Sequence, residues 1–490
     1  MVPVTHVNKT QGFIDVGILN FSFIADGLEL FWRWMILSSL LIKNAKTIVT
    51  MDKKRNVYHN ADLLIENGFI TALGTNVSVP SQVDRIIDAS NMIVYPGLIN
   101  THHHLYQVLT RNYPRVQQME LFDWLKTLYR LWRGLNDEMV YTSALVGLGE
   151  LVKYGCTTCC DHHYVFPQGE SFLIDRQIEA AREVGVRFYA CRGSMSRGES
   201  DGGLPPDSLV QTTKEILADS ERLIKTYHDP SPGSFVQIVL APCSPFSVTT
   251  ELLVESAALA RQYNVRLHTH LAETLDEEAF CLELLGKRPL EYMESVGWLG
   301  EDVWYAHGIH FNSEEIDLLA NTKTGVAHCP VSNEKLASGT AKIKEMLDKG
   351  VPVGLAVDGS ASNDCSNLLA EIRSCFLIHR LNNSAEAPSG EDILALATNG
   401  SARLLGRNDL GSLEIGKAGD CFLLNVNRLE YAGTLDDPSA LPAVVGINRP
   451  VDFTIVGGKV IFEKGILKGI DEEQVVAKAN QMSLKLREYL

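Results

Sequence analysis

The feature that most constrains the fold is a series of apolar, strand-like runs that alternate with helix-like segments across residues 98–360. Each run is followed by a helical or loop stretch, and segments such as SALVGLGELVKYG have the apolar spacing of covering helices. Strands that alternate with helices build a parallel sheet, and eight of them predict a (β/α)8 TIM barrel. The eight runs are INTHHH, TTCCDHH, VRFYACR, FVQIVLAP, VRLHTHLAE, VWYAHGI, GVAHCP and PVGLAVDG.

A different pattern, of short alternating strands and tight turns, occurs on both sides of this region. Before it come LLIKNAKTIVT, ADLLIENGFITALG and RIIDASNMIVYPG, and after it come KAGDCFLLNVN and DFTIVGGKVIFEKG. Asn67-Gly68 and Gly457-Gly458 are typical of two-residue hairpin turns. The two pieces predict one small β-sandwich domain formed from both ends of the chain.

The start of the chain looks unlike the rest. Residues 28–42 are apolar, but Glu29 and Arg33 interrupt them, and the run is shorter than the ~20 residues that a membrane span needs. We therefore expect an N-terminal extension that is not part of the fold. The predicted parts are the extension (1–35), the first part of the β-sandwich (36–95), the barrel (96–407), the second part of the β-sandwich (408–470) and a C-terminal helix (471–490).

Charge and cysteine content exclude several classes of protein. With 44 basic and 60 acidic residues the net charge is −16, whereas a nucleic-acid-binding surface needs a basic stripe. Ten cysteines are scattered without the spacing of a secreted disulfide framework. Cys156-x-x-Cys159 has no second pair at zinc-ribbon spacing, so we expect core thiols there. These observations predict a cytoplasmic enzyme without a membrane or nucleic-acid partner.

The first predicted barrel strand ends in three consecutive histidines. Barrel enzymes carry their active sites at the C-terminal ends of the strands. Residues i and i+2 of a strand face the same way, so His102 and His104 point together and supply half a metal site. His103 is expected to point away into packing. Taken alone, such a triplet fits a ligand pair and a packed core equally well.

Three further strands end in residues suited to metal or proton chemistry. The fifth ends in HTHLAE, where we favour His270 as a ligand and His268 as a packed or supporting histidine. Glu273 follows at the transition to the loop, where a carboxyl can shuttle protons beside a metal. The sixth ends in His307 and the eighth in Asp358, a carboxylate that is costly to bury without a cation or donor. Four such strand ends in one barrel predict a metal site.

The segments PGLINTHHH, HTHLAE, YAHGIH, AHCPVSN and VDGSASND resemble the amidohydrolase superfamily, in its branch of mononuclear deaminases and triazine hydrolases. The resemblance runs from about Leu40 to about Gly465. It implies that one divalent metal, zinc or alternatively iron, is held by His102, His104, His270 and Asp358. Binuclear relatives carry a carboxylated lysine at the end of the fourth strand, and FVQIVLAPCS has none.

The same resemblance implies the catalytic roles. Asp358 takes a proton from the attacking water, His307 hydrogen-bonds that water, and Glu273 protonates the substrate. Metal binding lowers the pKa of water from 15.7 toward ~7, so that a nucleophile forms at neutral pH. The implied partner is a small N-heterocycle, and the resemblance is also compatible with a homodimer.

The substrate is implied by likeness alone. CRGSMSRGESDGGLPP, LAPCSPFSV and HLAETLDEE are most similar to deaminases of oxidised purines, which implies conversion of 8-oxoguanine and water to urate and ammonia. Guanine, isocytosine, pterins and hydroxyatrazine-like triazines stay open as substrates. A non-catalytic scaffold is a further alternative, which the complete ligand set opposes.

Three polar residues near strand ends are the expected substrate contacts: Gln107, His163 and Arg192. A pocket for a planar oxopurine needs such groups on a mostly apolar floor. Trp124 and Tyr164 could stack on the ring and Cys243 could line the wall. For Gln107 a helix-capping role, and for Arg192 a salt bridge at the barrel rim, stay open as alternatives.

Overall fold

The computed structural model describes residues 39–489, so the predicted extension at residues 1–35 lies outside the described residues. The strands in chain order are β1 (Ser39–Val49), β2 (Val57–Glu66), β3 (Phe69–Gly74), β4 (Arg85–Asp88), β5 (Met92–Pro96), β6 (Leu98–Asn100), β7 (His103–His104), β8 (Cys156–His163), β9 (Arg187–Ser194), β10 (Val236–Pro242), β11 (Arg266–Leu271), β12 (Val303–His307), β13 (Gly325–His328), β14 (Val353–Leu355), β15 (Asp358–Gly359), β16 (Cys421–Asn425), β17 (Phe453–Val456), β18 (Lys459–Glu463) and β19 (Ile466–Leu467). The α-helices are α1 (Leu121–Trp132), α2 (Asp137–Lys153), α3 (Leu173–Val184), α4 (Thr213–Tyr227), α5 (Thr250–Tyr263), α6 (Leu275–Phe280), α7 (Pro289–Ser295), α8 (Ser313–Thr322), α9 (Pro330–Lys335), α10 (Ile343–Lys349), α11 (Leu368–Asn383), α12 (Gly390–Ala395), α13 (Ser401–Leu404), α14 (Leu441–Val444) and α15 (Glu472–Leu486).

Eight parallel strands form the barrel predicted from the sequence. Their order is β6, β8, β9, β10, β11, β12, β13 and β14. The first and last strands meet, because the Thr101 amide donates to the Leu355 carbonyl at 3.3 Å. Beyond that point β7 pairs with β15 in parallel register, His103 opposite Asp358. The predicted (β/α)8 barrel is therefore confirmed, and each predicted strand run contains a strand.

Helix α2 shows how the covering helices arise from the sequence. The side chain of Asn136 accepts a hydrogen bond from the Met139 amide at 3.0 Å and caps the first turn. Leu148 lies on the buried face of this helix, and truncating it to alanine would cost about 2–5 kcal/mol. Gly155 follows the helix with φ 81°, where a Cβ would meet the ring of Phe422. Within residues 39–489, no helix combines the length and apolarity needed to cross a membrane.

The strands from the two ends of the chain form one mixed, nine-stranded sheet. Its order is β19, β18, β17, β16, β5, β1, β2 and β3, with β4 beside β1. The two halves join where β5 pairs antiparallel with β16, and the rings of Tyr95 and Phe422 stack there at 5.0 Å. Asn67 and Gly68 link β2 to β3 with φ 53° and 85°, as a tight hairpin requires. A β-rich region built from both ends is thus confirmed.

A buried ion pair attaches the barrel to this sheet. Arg187, the first residue of β9, contacts both carboxylate oxygens of Asp420 at 2.7 and 2.9 Å. Two parallel hydrogen bonds fix the orientation of the guanidinium as well as its position. Because Arg187 begins its strand, this contact lies at the N-terminal end of the barrel. The opposite end of the barrel, formed by the C-terminal ends of the strands, is where barrel enzymes carry their active sites.

Candidate active site

The four predicted metal ligands converge at the C-terminal end of the barrel. Oδ1 of Asp358 lies 3.2 Å from Nε2 of His102 and 3.3 Å from Nε2 of His104. Nε2 of His104 lies 3.0 Å from Nε2 of His270. All four side chains are buried. Residues from the first, fifth and eighth barrel strands therefore place their donor atoms at one point.

Backbone carbonyls fix the tautomers of two of these histidines. Nδ1 of His104 lies 2.6 Å from the carbonyl oxygen of His162, and Nδ1 of His270 lies 2.6 Å from that of Cys243. A carbonyl can only accept, so each Nδ1 carries the proton and donates it. Burial lowers the pKa of both rings, which keeps them neutral. Each Nε2 consequently presents a lone pair to the centre of the site.

His268 fixes the tautomer of His102 through a two-step chain. Nδ1 of His268 donates to the carbonyl of Trp304 at 3.0 Å, which leaves its Nε2 as an acceptor. Nδ1 of His102 donates to that nitrogen at 2.7 Å. Nε2 of His102 has no hydrogen-bond partner among residues 39–489. Burial lowers the pKa of His268 to about 3, so this ring supports a ligand as a neutral acceptor.

These residues fit one divalent cation. Nε2 of His104 lies 3.0 Å from Nε2 of His270 and 3.3 Å from Oδ1 of Asp358, which in turn lies 3.2 Å from Nε2 of His102. Lone pairs this close together repel each other unless a positive charge lies between them. Bond lengths of about 2.0–2.2 Å to a tetrahedral ion would place the ligand atoms about 3.3–3.6 Å apart. The observed separations are close to that range, so the site accepts such an ion with small side-chain shifts.

Asp358 is held in place from several sides. Its second carboxylate oxygen accepts hydrogen bonds from the hydroxyls of Ser332 and Ser362, the latter at 3.1 Å. Its amide donates to the His102 carbonyl at 3.2 Å. Asp358 has φ 62° and His307 has φ 75°, left-handed values that are uncommon for residues other than glycine. Strain of this kind is tolerated where the surroundings over-determine a functional geometry.

Glu273 and His307 form a pair beside the four ligands. Oε2 of Glu273 lies 3.4 Å from Nε2 of His307, and Nδ1 of His307 donates to Oδ1 of Asn333 at 2.9 Å. Burial raises the pKa of Glu273 to about 7, although a positive charge on His307 opposes the shift. The pKa of His307 is raised, because the negative charges of Glu273 and Asp358 outweigh its burial. The carboxyl of Glu273 can therefore give and take a proton near neutral pH.

Several residues of the site were missed in the sequence. Glu277 accepts hydrogen bonds from the amides of Ala272 and Glu273 at 3.1 and 2.9 Å, which fixes the backbone that carries Glu273. His162 lies among the ligand histidines, and its Nε2 donates to the carbonyl of Ala241 at 2.7 Å. The segments HLAETLDEE and AHCPVSN contain Glu277, Ser332 and Asn333. These segments carry the family resemblance, but the sequence alone does not assign a role to these three residues.

A cavity opens onto these groups. Its polar lining includes Gln107, whose side-chain oxygen accepts from the Ala361 amide at 3.2 Å, and Trp124. Nε1 of Trp124 is a buried donor without an acceptor in the described part of the chain. The remaining wall is mostly apolar or aromatic and comprises Leu121, Leu125, Tyr164, Cys243, Phe246 and Leu336. The predicted wall residues Trp124, Tyr164 and Cys243 thus all line the cavity.

His163 and Arg192, the other two predicted substrate contacts, are not among the residues that line this cavity. Both point outward to the helical layer. Nδ1 of His163 lies 3.3 Å from the side-chain amide nitrogen of Gln177. Nε of Arg192 donates to Asp219 at 2.6 Å, and its guanidinium stacks on the ring of Phe166 at 3.9 Å. The physical reason is strand alternation: on β8 it is His162, not His163, that faces the barrel interior.

Comparisons with known proteins agree with this geometry. Residues 93–461 match the Amidohydrolase family. The chain is 49% identical to 8-oxoguanine deaminase of Pseudomonas aeruginosa over 417 residues, which cover 85% of this chain and 92% of the relative. It is 40% identical to hydroxydechloroatrazine ethylaminohydrolase of Pseudomonas sp. strain ADP, over 88% of this chain and 92% of the relative.

A solved structure shows the same fold. The atrazine chlorohydrolase of Arthrobacter aurescens TC1, crystallised with zinc, superposes with a TM-score of 0.87 at 34% identity, covering 91% of this chain and 100% of the other. The protein is a metal-dependent hydrolase that acts on C–N bonds. The family match and the identities over most of its length show that the chain belongs to the amidohydrolase family.

Proposed function

We propose that the protein is a hydrolytic deaminase of an oxidised purine, converting 8-oxoguanine and water to urate and ammonia. The observation that carries this proposal is the placement of Glu273, with its raised pKa, beside His102, His104, His270 and Asp358, at a cavity whose wall is mostly apolar with a few polar groups. The relative named 8-oxoguanine deaminase, 49% identical, supports this choice of ring.

We propose zinc as the ion and His102, His104, His270 and Asp358 as the residues that hold it. A divalent ion bound there would polarise the attacking water and lower its pKa toward ~7. The crystal structure of the atrazine chlorohydrolase in complex with zinc supports the choice of metal. The neutral imidazoles and the carboxylate also suit zinc chemically.

The protein's own groups account for the proton transfers. Glu273, protonated, donates to the ring nitrogen next to the amino-bearing carbon while water adds to that carbon and Asp358 takes the water's proton. Asp358 then protonates the amino group, the C–N bond breaks and ammonia leaves. The new hydroxyl returns its proton to Glu273 as the carbonyl forms. The balance is one water consumed and one ammonia released. His307, fixed by Asn333, orients the water and stabilises the carboxylate form of Glu273.

We propose that the two wall residues with polar side-chain groups, Trp124 and Gln107, recognise the substrate. The unpartnered Nε1–H of Trp124 would donate to a ring carbonyl oxygen, which satisfies a buried donor that otherwise costs about 1–3 kcal/mol. The side-chain amide of Gln107 faces the same cavity and can hydrogen-bond the ring edge. Leu121 and Phe246 cover the apolar surface of the ring.

A triazine aminohydrolase is the second candidate. The apolar wall around Leu121, Leu125 and Phe246 would also suit the alkyl groups of an alkylamino-triazine. The 40% identical hydroxydechloroatrazine ethylaminohydrolase supports this alternative. Both candidates share the proposed ligand set and Glu273, and they differ in the ring and in the amine that is released.

Ammonia release from a panel of heterocycles tests the proposal. Zinc-loaded protein would be assayed with 8-oxoguanine, guanine, isocytosine, a pterin and hydroxyatrazine. For hydroxyatrazine, which carries only alkylamino groups, the released ethylamine would be measured in place of ammonia. We expect kcat/KM to be highest for 8-oxoguanine, by about tenfold or more. A higher value for hydroxyatrazine would favour the triazine candidate. Failure of every substrate with metal bound would instead indicate a non-catalytic scaffold.

A further inference from the structure

We propose that His328, Cys375 and His379 form a second, structural metal site that binds one thiophilic cation, Zn²⁺ or Cu⁺. The three residues share no ligand with the catalytic site. His328 is the last residue of β13, and Cys375 and His379 lie on α11. This site is independent of the reaction proposed above.

The three residues come together because one face of α11 lies against the C-terminal end of β13. Cys375 and His379 are four residues apart on α11, so they lie on the same face one turn apart. Nε2 of His379 is 3.2 Å from Nε2 of His328. One ligand atom from each of the three residues lies within 4.8 Å of the others, and all three side chains are at most 1% exposed.

The donor set selects the kind of cation. A thiolate with two neutral imidazoles suits zinc and cuprous copper, whereas oxygen donors would suit magnesium or calcium. Two nitrogen ligands of a tetrahedral zinc ion lie about 3.3–3.4 Å apart, close to the observed 3.2 Å between the rings. A hydrogen bond between the rings also fits that distance. That hydrogen bond, however, does not involve the Cys375 thiol, whereas a metal ion would bind all three residues.

A neighbouring carboxyl can balance the added charge. Glu371 lies one turn before Cys375 on the same helix and is fully buried. Its oxygens accept hydrogen bonds from the Val331 amide at 3.1 Å and from the side-chain amide of Asn363 at 2.5 Å. Val331 lies in α9, which follows β13, and Asn363 lies in the loop that follows β15. Each is next to a serine, Ser332 or Ser362, that hydrogen-bonds Asp358. A cation here would therefore tie α11 to the strand behind the active site.

Cobalt binding to the full-length protein tests the site directly. Protein stripped of metal by a chelator would be titrated with Co²⁺, and bound cobalt and the absorption spectrum would be measured. The proposed catalytic ligands are nitrogen and oxygen atoms only, so thiolate-to-cobalt charge-transfer absorption reports the second site. We expect two bound equivalents and this absorption in the wild type. Cys375→Ser should lose the absorption and one equivalent, whereas the control Cys421→Ser, a buried thiol in β16, should keep both.

Two results would overturn the proposal: a single equivalent of cobalt without thiolate absorption, or absorption that persists in Cys375→Ser. If Cys375→Ser fails to fold, His379→Gln serves as the second variant with the same expectations for stoichiometry. His270→Ala should lose the catalytic equivalent and keep the absorption, which separates failure of this site from failure of the proposed reaction. Zn²⁺ or Cu⁺ would then be added to the cobalt-loaded protein. The ion that displaces the cobalt responsible for the thiolate absorption is identified as the cation of this site.

Discussion

Oε2 of Glu273 lies 3.4 Å from Nε2 of His307, and both side chains are buried beside the four converging ligands. At this distance the charge on either group changes the pKa of the other. The protonation of each depends on the other, and both face the cavity. This pair sets the pH range in which the proposed reaction can run.

Glu273→Gln should lower kcat by about 10²–10⁴ with metal content unchanged, because an amide cannot donate the proton that the ring nitrogen accepts as water adds. The measurement is steady-state ammonia release together with metal analysis. Glu278→Gln is the matched control, since Glu278 forms an ion pair with Arg288 outside the cavity lining. Activity near the wild-type level in a metal-loaded Glu273→Gln protein would contradict the role of Glu273.

The value of kcat/KM should fall as the pH rises through about 7. Burial raises the pKa of Glu273 to about 7, so the protonated form needed for donation is present below that pH and is lost above it. The decline should approach tenfold per pH unit. A pH profile of the zinc-loaded enzyme measures this limb, and a rate that stays level to high pH would show that Glu273 does not act as the acid.

Trp124→Phe should weaken substrate binding by roughly three- to tenfold, the loss expected for one net hydrogen bond of about 0.5–1.5 kcal/mol. Trp298→Phe is the control, because Nε1 of Trp298 donates to the Leu253 carbonyl at 2.8 Å away from the cavity. That control should lower the free energy of unfolding and leave KM unchanged. Equal KM values for Trp124→Phe and the wild type would remove Trp124 from substrate recognition.

Arg192→Met should destabilise the fold without changing KM. It removes the charge-assisted hydrogen bond from Arg192 to Asp219, which costs about 1.5–3 kcal/mol, while Asp219 keeps its ion pair with Arg222. Urea unfolding and steady-state kinetics would be compared with those of Gln107→Ala, which should raise KM. A large rise in KM for a folded Arg192→Met protein would restore Arg192 as a substrate contact. The double variant Arg192→Met/Asp219→Leu should recover part of the lost stability.

The fold and the convergence of four candidate ligands at one end of the barrel could be predicted from the sequence, because both depend on short periodicities. Alternating strands and helices predict the barrel, and the spacing of His102 and His104 places both on one strand face. His270 and Asp358 follow from the rule that barrel strands end at the active site.

The substrate contacts were harder to predict because they depend on strand parity. In the pair His162-His163 the sequence does not show which ring points inward, and the structure shows that it is His162. Arg192 pairs in register with His163 and points the same way. Trp124 reaches the cavity from α1, and only tertiary packing determines where that helix lies.

The antiparallel pairing of β5 with β16 has a consequence for synthesis. Residues 92–96 are made early, yet the strand that completes their hydrogen bonds is residues 421–425, near the end of the message. A nascent chain must therefore carry an open apolar edge while the whole barrel is translated. Premature termination before β16 would leave that edge permanently uncovered, so truncated products should depend on chaperones or be degraded.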